Sequence, residues 1–157
     1  MLRWELLTIG HSNRSPEELV RLLKQNGVEL VVDVRRFPSS RQYPYFQRDQ
    51  VAATLQAAGI AYCWMGDLLG GFRTGGYEGY MGTEAFNRGL ELLLQRASQR
   101  RAAVMCAERL FFRCHRRFIA DACVRWGWRV LHIVDEGRVS AHRGALAPGQ
   151  LELDLTL

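Results

Sequence analysis

Lysine is almost absent from this chain of 157 residues: of its 21 basic residues, Lys24 is the only lysine and the others are arginine. The formal net charge is +5. Guanidinium groups bind phosphate and carboxylate through paired hydrogen bonds, so this composition favours an anionic partner, either a small ligand or a nucleic acid. A compositional bias of the source genome is the alternative explanation.

Long hydrophobic runs are also missing. No apolar stretch reaches the length of a bilayer span, and the first residues, MLRWELLTIGHS, lack the apolar core and the cleavage site of a signal peptide. These absences predict a cytoplasmic protein without a membrane partner. No feature of the sequence indicates an oligomeric state.

Cysteine is sparse, and no two cysteines form a CxxC pair. The chain contains Cys63, Cys106, Cys114 and Cys123. In the cytosol these thiols are expected to be reduced, and Cys63 and Cys123 are expected to be packed in the core. One combination of side chains makes zinc an alternative: Cys106, Cys114, His11 and His115. Because the spacing of known metal motifs is missing, we predict no metal and no cofactor.

Short apolar runs alternate with amphipathic stretches along the chain. Five runs have the composition of strands: Glu5–Ile9, Leu30–Val34, Ile60–Trp64, Ala102–Cys106 and Arg129–Val134. Apolar residues at helical spacing predict four helices between them, beginning near Ser15, Asp49, Thr83 and Cys114. This order predicts a three-layer α/β fold with a five-stranded, mainly parallel Rossmann-like sheet and helices on both faces.

The length of the chain fits a single α/β domain over residues 1–157. Residues 135–157 read as a C-terminal surface extension, in which Leu151–Leu157 has the pattern of one further short strand. We therefore predict one domain and one core.

Polar and reactive side chains follow the predicted strands. Ligands of open parallel sheets bind beyond the carboxyl ends of the strands, so these side chains are expected to converge on one edge. The candidates there are His11, Ser12, Asp33, Arg35, Arg73, Cys106, Glu108, Cys114, His115 and Arg116. His132, within an apolar strand, is predicted to be a core histidine, with a ligand role as the alternative.

Residues 104–117, VMCAERLFFRCHRR, concentrate positive charge where the fourth helix begins. A helix N-terminus is already electropositive, so arginines there are unfavourable unless an anion binds. We predict that Arg35, Arg73 and Arg116 hold a small anion that resembles a phosphate or a nucleotide. The alternative is that the arginines of this stretch are solvated or pair with carboxylates nearby.

Cys106 and Cys114 are the candidate nucleophiles. Arginines and a helix start lower the pKa of a thiol, which makes the reactive thiolate available. His11 or His115 would carry the proton, and Glu108 would orient a partner or act as a base. Thiol-dependent processing of the anionic ligand is thus the first functional hypothesis. A thiol redox or sulfur-handling protein is a further alternative, because two thiols lie close in sequence.

The loop RRFPSSRQYPYFQR, residues 35–48, interleaves arginines with aromatic residues. This pattern suits stacking on bases and contact with phosphates, so the alternative function is a nucleic-acid-associated module that uses this loop. The competing interpretation is that the aromatic side chains anchor the loop to the domain while its arginines are solvated.

Five segments follow one another along the chain: TIGHSN, DVRRFPSSR, GIAYCWMGDLLGGFR, VMCAERLFFRCHRRFIAD and HIVDEGRVSAH. From Thr8 to His142 the sequence resembles the DUF488 family, whose biochemical function is not established. The resemblance implies a compact α/β sandwich with a parallel sheet. It supplies no reaction, so it leaves open whether the protein is an enzyme.

The resemblance also implies which positions are characteristic of the family. They are His11, Ser12, Asp33, Arg35, Pro38, Arg41, Tyr62, Gly70, Gly71, Arg73, Cys106, Glu108, Cys114, His115 and Arg116. Ser12, Asp33 and Arg41 therefore join the predicted ligand-binding residues. Where the family often has a polar, proline-containing stretch, this chain has the more apolar Arg109–Phe112.

Overall fold

The computed structural model describes residues 4–143, and the six strands in this range form one sheet. The strands are β1 (Glu5–Gly10), β2 (Leu30–Asp33), β3 (Ala61–Trp64), β4 (Ala102–Cys106), β5 (Arg129–Asp135) and β6 (Arg138–Ala141). The helices are α1 (Pro16–Gln25), α2 (Arg48–Ala57), α3 (Gly66–Leu69), α4 (Tyr77–Tyr80), α5 (Glu84–Gln99) and α6 (Arg116–Arg125). Two short 3-10 helices cover Pro44–Phe46 and Phe111–Arg113.

The strand order is β3-β2-β4-β1-β5-β6. The first five strands of this order are parallel, whereas β6 runs antiparallel to β5. The α/β class and the mainly parallel sheet are thus confirmed, but the prediction of five strands is wrong. All four residues of β6 are exposed, so this edge strand has no apolar run that would reveal it. The strand predicted at Leu151–Leu157 lies outside the described residues.

Helices cover both faces of the sheet because successive side chains of a strand point to opposite faces. Leu7, Ile9 and Val31 pack with the apolar residues of α1 and α2. Leu6 and Val104 pack on the other face with α5 and α6. The core therefore has two halves, separated by the sheet. Each polar side chain of a strand points into one half or the other.

Local sequence explains two of the helix starts through side-chain caps. The hydroxyl of Ser15 accepts a hydrogen bond from the amide of Glu18, and Thr83 caps α5 through the amide of Phe86 in the same way. The start predicted near Asp49 is one residue late, since α2 begins at Arg48 without a side-chain cap. Helix α6 begins at Arg116, two residues after the predicted start.

Residues 65–83 connect β3 to α5 and carry the short helices α3 and α4. The segment is held by its own side chains: the Tyr77 hydroxyl donates to the Leu69 carbonyl at 2.7 Å, and Arg73 donates to the carbonyls of Gly70 and Asp67 at 2.9 and 2.7 Å. Although it is rich in glycine, it forms a packed wall beside the carboxyl end of the sheet.

The topology opens a crevice between β2 and β4. The connection after β2 leads outward to β3, whereas the connection after its neighbour β4 leads the opposite way, past β1, to β5. In open α/β sheets, ligands bind where neighbouring connections diverge in this manner. The loops after β2 and β4 are therefore the elements that build the site.

Candidate functional site

A cavity of about 590 Å³ lies at this crevice. Residues 35–39, after β2, form one side, and residues 106–108, after β4, form another. The start of α6 and the segment that contains Phe72 and Tyr77 complete the lining. Its volume is in the range of small-molecule sites.

The thiol cluster, which we define as Cys106, Cys114 and His115, forms part of the cavity lining. The two Sγ atoms are 2.8 Å apart, and both cysteines are free. Cys106 is buried at the end of β4, whereas Cys114 is half-buried just before α6. The strand and the helix thus bring together two thiols that are eight residues apart, with the more exposed one toward the ligand space.

The two thiols have opposite tendencies to ionise. A hydrogen bond from Cys106 lowers the pKa of the Cys114 thiol well below that of an ordinary cysteine, and His115 and the Arg116 amide, 3.4 Å from Sγ, act in the same direction. Burial raises the pKa of Cys106, as does its hydrogen bond to Cys114. Cys114 is therefore the thiolate of the pair and Cys106 the thiol.

His115 has a defined proton arrangement. Its Nε2 lies 2.9 Å from the Val34 carbonyl, which can only accept, so Nε2 carries a hydrogen. Its Nδ1 lies 3.5 Å from Sγ of Cys114. Gly71 and Tyr77 pack on the imidazole; a Cβ at Gly71 would lie 3.2 Å from Nδ1. The ring is fixed from both sides.

The aspartate cluster, which we define as Asp33, Arg35, Tyr62 and His11, lies beside Phe46 on the side of the sheet that α1 and α2 cover, and Arg35 is its one member that also lines the cavity. Asp33 is fully buried and accepts from Arg35 Nε at 2.9 Å, from Nη2 at 2.7 Å and from the Tyr62 hydroxyl at 2.5 Å. Arg35 also donates to the Phe46 carbonyl at 2.6 Å. The Asp33–Arg35 ion pair thus has its hydrogen-bond partners within the protein, and it anchors the loop after β2.

His11 completes the aspartate cluster as a neutral side chain. It is 3% exposed, and burial, together with the neighbouring Arg35, lowers its pKa to about 4. Nδ1 donates to the Ser12 carbonyl at 3.1 Å, which leaves Nε2 as an acceptor for Arg35 at 3.3 Å. Ser12 has a φ of 48° and hydrogen-bonds through its amide to Ala107. Neither residue lines the cavity.

The remaining predicted site residues have different surroundings. Arg116 is 1% exposed and donates to the carbonyls of Glu108 and Arg109 at 2.8 and 3.2 Å. Arg73 donates a hydrogen bond to a carbonyl of its own segment, and its guanidinium lies over the ring of Tyr80. Glu108 lines the cavity, and its carboxylate accepts a hydrogen bond from the Leu110 amide at 3.1 Å. Arg41 is exposed and lies outside the cavity lining.

The structure therefore separates the residues that were expected at one edge. Cys106, Cys114, His115 and Glu108 come together at the cavity, as does the backbone after β2. Asp33 and His11 are on the other face. The predicted anion ligands Arg35, Arg73 and Arg116 all donate to acceptors within the protein.

The cavity mouth contains residues outside the predicted set. Phe37, Phe72 and Phe112 line it with 64%, 83% and 51% of their surface exposed. We define the rim arginines as Arg36, Arg113 and Arg117, which also line it. The arginine-aromatic pattern of residues 35–48 indicated Arg36 and Phe37, but periodicity cannot tell which side chains of separate segments line a shared cavity.

A hydrogen-bond chain behind the cavity was also missed. His132 Nδ1 lies 2.6 Å from the Thr8 hydroxyl, His132 Nε2 2.8 Å from His142 Nδ1, and His142 Nε2 2.6 Å from Asp121. Because Asp121 only accepts, His142 Nε2 is the donor in that bond. The signal in the sequence was a polar residue at matching positions of two apolar strands, since Thr8 and His132 are in register. His132 is thus a buried histidine, as predicted.

Within residues 4–143, no three His, Cys, Asp or Glu side chains are grouped as metal ligands. No helix of this range has the length and apolarity to cross a bilayer.

One family model matches most of the chain. The model of the family described as "Domain of unknown function DUF488" matches residues 15–75 and 72–123, which include α1, the cavity loops, both thiols and most of α6. No curated protein and no solved structure matches the chain at a significant level. Because the family match extends over most of the sequence, the chain belongs to the DUF488 family.

Proposed function

We propose that the protein is a dithiol redox protein that exchanges electrons with a small disulfide bound in the cavity. The observation that carries the proposal is the 2.8 Å separation of the Cys106 and Cys114 sulfur atoms at the cavity floor. Cys114 is the attacking thiolate, Cys106 the resolving thiol and His115 the proton carrier.

In the first step, the Cys114 thiolate attacks one sulfur of a ligand R–S–S–R. The ligand's S–S bond breaks, one RS⁻ leaves, and a mixed disulfide forms on Cys114. The half-buried position of this thiol at the cavity lining suits it to meet the ligand. A lowered pKa keeps it ionised at neutral pH, which the attack requires.

In the second step, Cys106 attacks the Sγ of Cys114 and displaces the second RS group. The Cys106 proton leaves with one of the two released thiols, so two protein thiols are oxidised while one ligand disulfide is reduced. Cys106 is 2% exposed, which keeps it from reacting with ligands directly. The short distance to Cys114 makes it the nearest available resolving group.

The proposal is tested by labelling the four cysteines at pH 6 with iodoacetamide and locating the label by peptide mass spectrometry. An ordinary thiol is only about 0.3% ionised at this pH, so we expect rapid labelling of Cys114 alone. Incubation with glutathione disulfide should then produce a Cys106–Cys114 disulfide. In the Cys106→Ala variant, a glutathione adduct should accumulate on Cys114 instead.

Cys123→Ala provides the matched control, because this thiol is buried in α6 away from the cavity lining. It should label and oxidise at Cys114 as the parent protein does. Labelling of Cys114 no faster than that of the half-buried Cys63, or the absence of a Cys106–Cys114 disulfide, would refute the proposal. Anion binding and nucleic-acid binding remain predictions that this experiment does not address.

A further inference from the structure

We infer that the preferred substrates are disulfides in which an aromatic group carries an anionic substituent. This inference rests on the proposed function and specifies the ligand of the same cavity. It comes from residues that the dithiol chemistry itself does not use: the three exposed phenylalanines and the rim arginines.

Aromatic surface surrounds the approach to Cys114. The exposed rings of Phe37 and Phe72 lie 6.1 Å apart. Phe112, which also lines the cavity, lies on the 3-10 helix before Cys114. Large apolar side chains this exposed and grouped around one cavity mark a binding surface. They offer flat faces on which a planar group can stack.

Charge at the mouth has one dominant sign. Within residues 4–143, none of the rim arginines pairs with a carboxylate, and Glu108 is the one acidic residue among those that line the cavity. The Glu108 carboxylate already accepts from the Leu110 amide. Arg35, the fourth arginine of the lining, is paired with Asp33. The three rim arginines and one glutamate are therefore the other charged residues of the arginine and carboxylate type in the lining, so an anionic ligand is attracted.

The rim arginines are held close to the aromatic rings. Arg36 donates to the Phe72 carbonyl at 2.5 Å, and its guanidinium lies 5.5 Å from the Phe37 ring centre. Arg117 lies 4.5 Å from the centre of the Phe118 ring. Positive charge and aromatic faces are thus presented side by side, which matches a ligand that has its negative charge on an aromatic ring.

Four disulfide probes separate charge from aromaticity. Dithiobis(nitrobenzoate) is aromatic and anionic, dithiodipyridine aromatic and neutral, dithiodipropionate aliphatic and anionic, and cystamine aliphatic and cationic. The rate of each with Cys114 is measured in the Cys106→Ala variant and divided by its rate with mercaptoethanol, which removes differences in intrinsic reactivity. We expect the aromatic anion to have the highest ratio, roughly tenfold or more above cystamine.

Two double variants identify the cause. Arg113→Ala with Arg117→Ala should lower the ratio for the two anionic probes only, whereas Phe72→Ala with Phe112→Ala should lower it for the two aromatic probes only. Arg88→Ala with Arg125→Ala removes the same charge from exposed positions outside the cavity lining and should change neither.

The outcomes distinguish the inference from the proposed function. Equal ratios for all four probes, with Cys114 still reactive and its disulfide with Cys106 still formed in the parent protein, overturn the substrate class alone. Equal losses in the rim and control variants would also overturn it. An unreactive Cys114 with every probe overturns both proposals.

Discussion

The aspartate cluster and the thiol cluster are both built from residues that lie in parallel strands or in the segments after them, yet the two clusters differ in their exposure to open space. In the aspartate cluster, Asp33 accepts from both Arg35 and Tyr62 and is fully buried. In the thiol cluster, Cys114 is half-buried against a cavity of about 590 Å³. Reactive residue types alone thus do not define a site. A site also requires that a reactive group faces open space.

The same contrast separates two kinds of arginine. Arg35 and Arg116 are buried and donate to acceptors within the protein, where they hold the loops after β2 and β4. Arg113 and Arg117 are exposed at the cavity. The first kind supports the shape of the site, and the second kind is available to a ligand.

The largest effect is expected from breaking the aspartate cluster. Asp33→Asn leaves the Arg35 guanidinium buried without its counter-charge, so we expect a loss of about 3–5 kcal/mol in the free energy of unfolding. Urea denaturation followed by circular dichroism measures it. Tyr62→Phe is the control: it removes one hydrogen bond to Asp33 and should lose only about 1 kcal/mol. A loss for Asp33→Asn no larger than that would contradict the closed-cluster interpretation.

Acidification should weaken the fold through its buried histidines. Burial lowers the pKa of His11 to about 4 and of His132 to about 3, so both stay neutral in the folded protein at pH 5. The unfolded chain takes up protons below its histidine pKa of about 6.5, so stability is complete above that pH and falls as the pH drops. We expect roughly 2 kcal/mol of loss per histidine between pH 7 and pH 5.

This pH dependence is best measured in a Cys114→Ser background, because the lowered pKa of the thiolate acts in the same direction. His11→Gln should remove about half of the histidine contribution, which assigns that part to the aspartate cluster. A free energy of unfolding that stays constant between pH 7 and pH 5 would show that these histidines are protonated in the folded state.

The thiol cluster should contribute much less to stability than the aspartate cluster. Cys114→Ser keeps a small polar group on the Cys106 thiol and the Arg116 amide. At pH 4, where the pH-dependent contribution of the thiolate is largely lost, we therefore expect a change of about 1 kcal/mol or less in the free energy of unfolding. The same variant should lose all labelling at pH 6. Thermal unfolding at pH 4 and labelling at pH 6 test the two expectations, and a large loss of stability at pH 4 would mean that Cys114 is structural.

The smallest effect is expected at Arg41. Because Phe46 is buried and Tyr43 and Tyr45 are half-buried, the aromatic side chains of residues 35–48 mostly anchor the loop. We therefore expect no binding of a single-stranded oligonucleotide at physiological salt and a stability change within about 0.5 kcal/mol for Arg41→Ala. Binding that weakens steeply with salt and is reduced by Arg41→Ala would instead support the nucleic-acid alternative.

Most of the fold could be predicted from the sequence because the five parallel strands are apolar on both faces and two helix starts carry capping residues. Strand β6 could not, since an exposed edge strand needs no apolar run. The boundary of α6 was misplaced by two residues because Cys114 precedes the helix and its sulfur accepts from the Arg116 amide.

The site was less predictable because it depends on which face each side chain occupies. Asp33 and Arg35 are two residues apart on an extended segment, so alternation places them on one face, and this pairing could have been read from the sequence. The approach of Cys114 to Cys106 could not, because it depends on the path of the loop between them. The cavity mouth likewise depends on Phe72, which comes from a distant segment.

Gly71 gives the glycine-rich segment a role beyond spacing. Its missing side chain lets the backbone lie against the His115 imidazole, where even a methyl carbon would be 3.2 Å from Nδ1. A larger residue at position 71 would crowd the ring and alter its alignment with the sulfur. Evolution or redesign can therefore tune the reactivity of this protein through the shape of residues 65–83, while every titratable side chain stays unchanged.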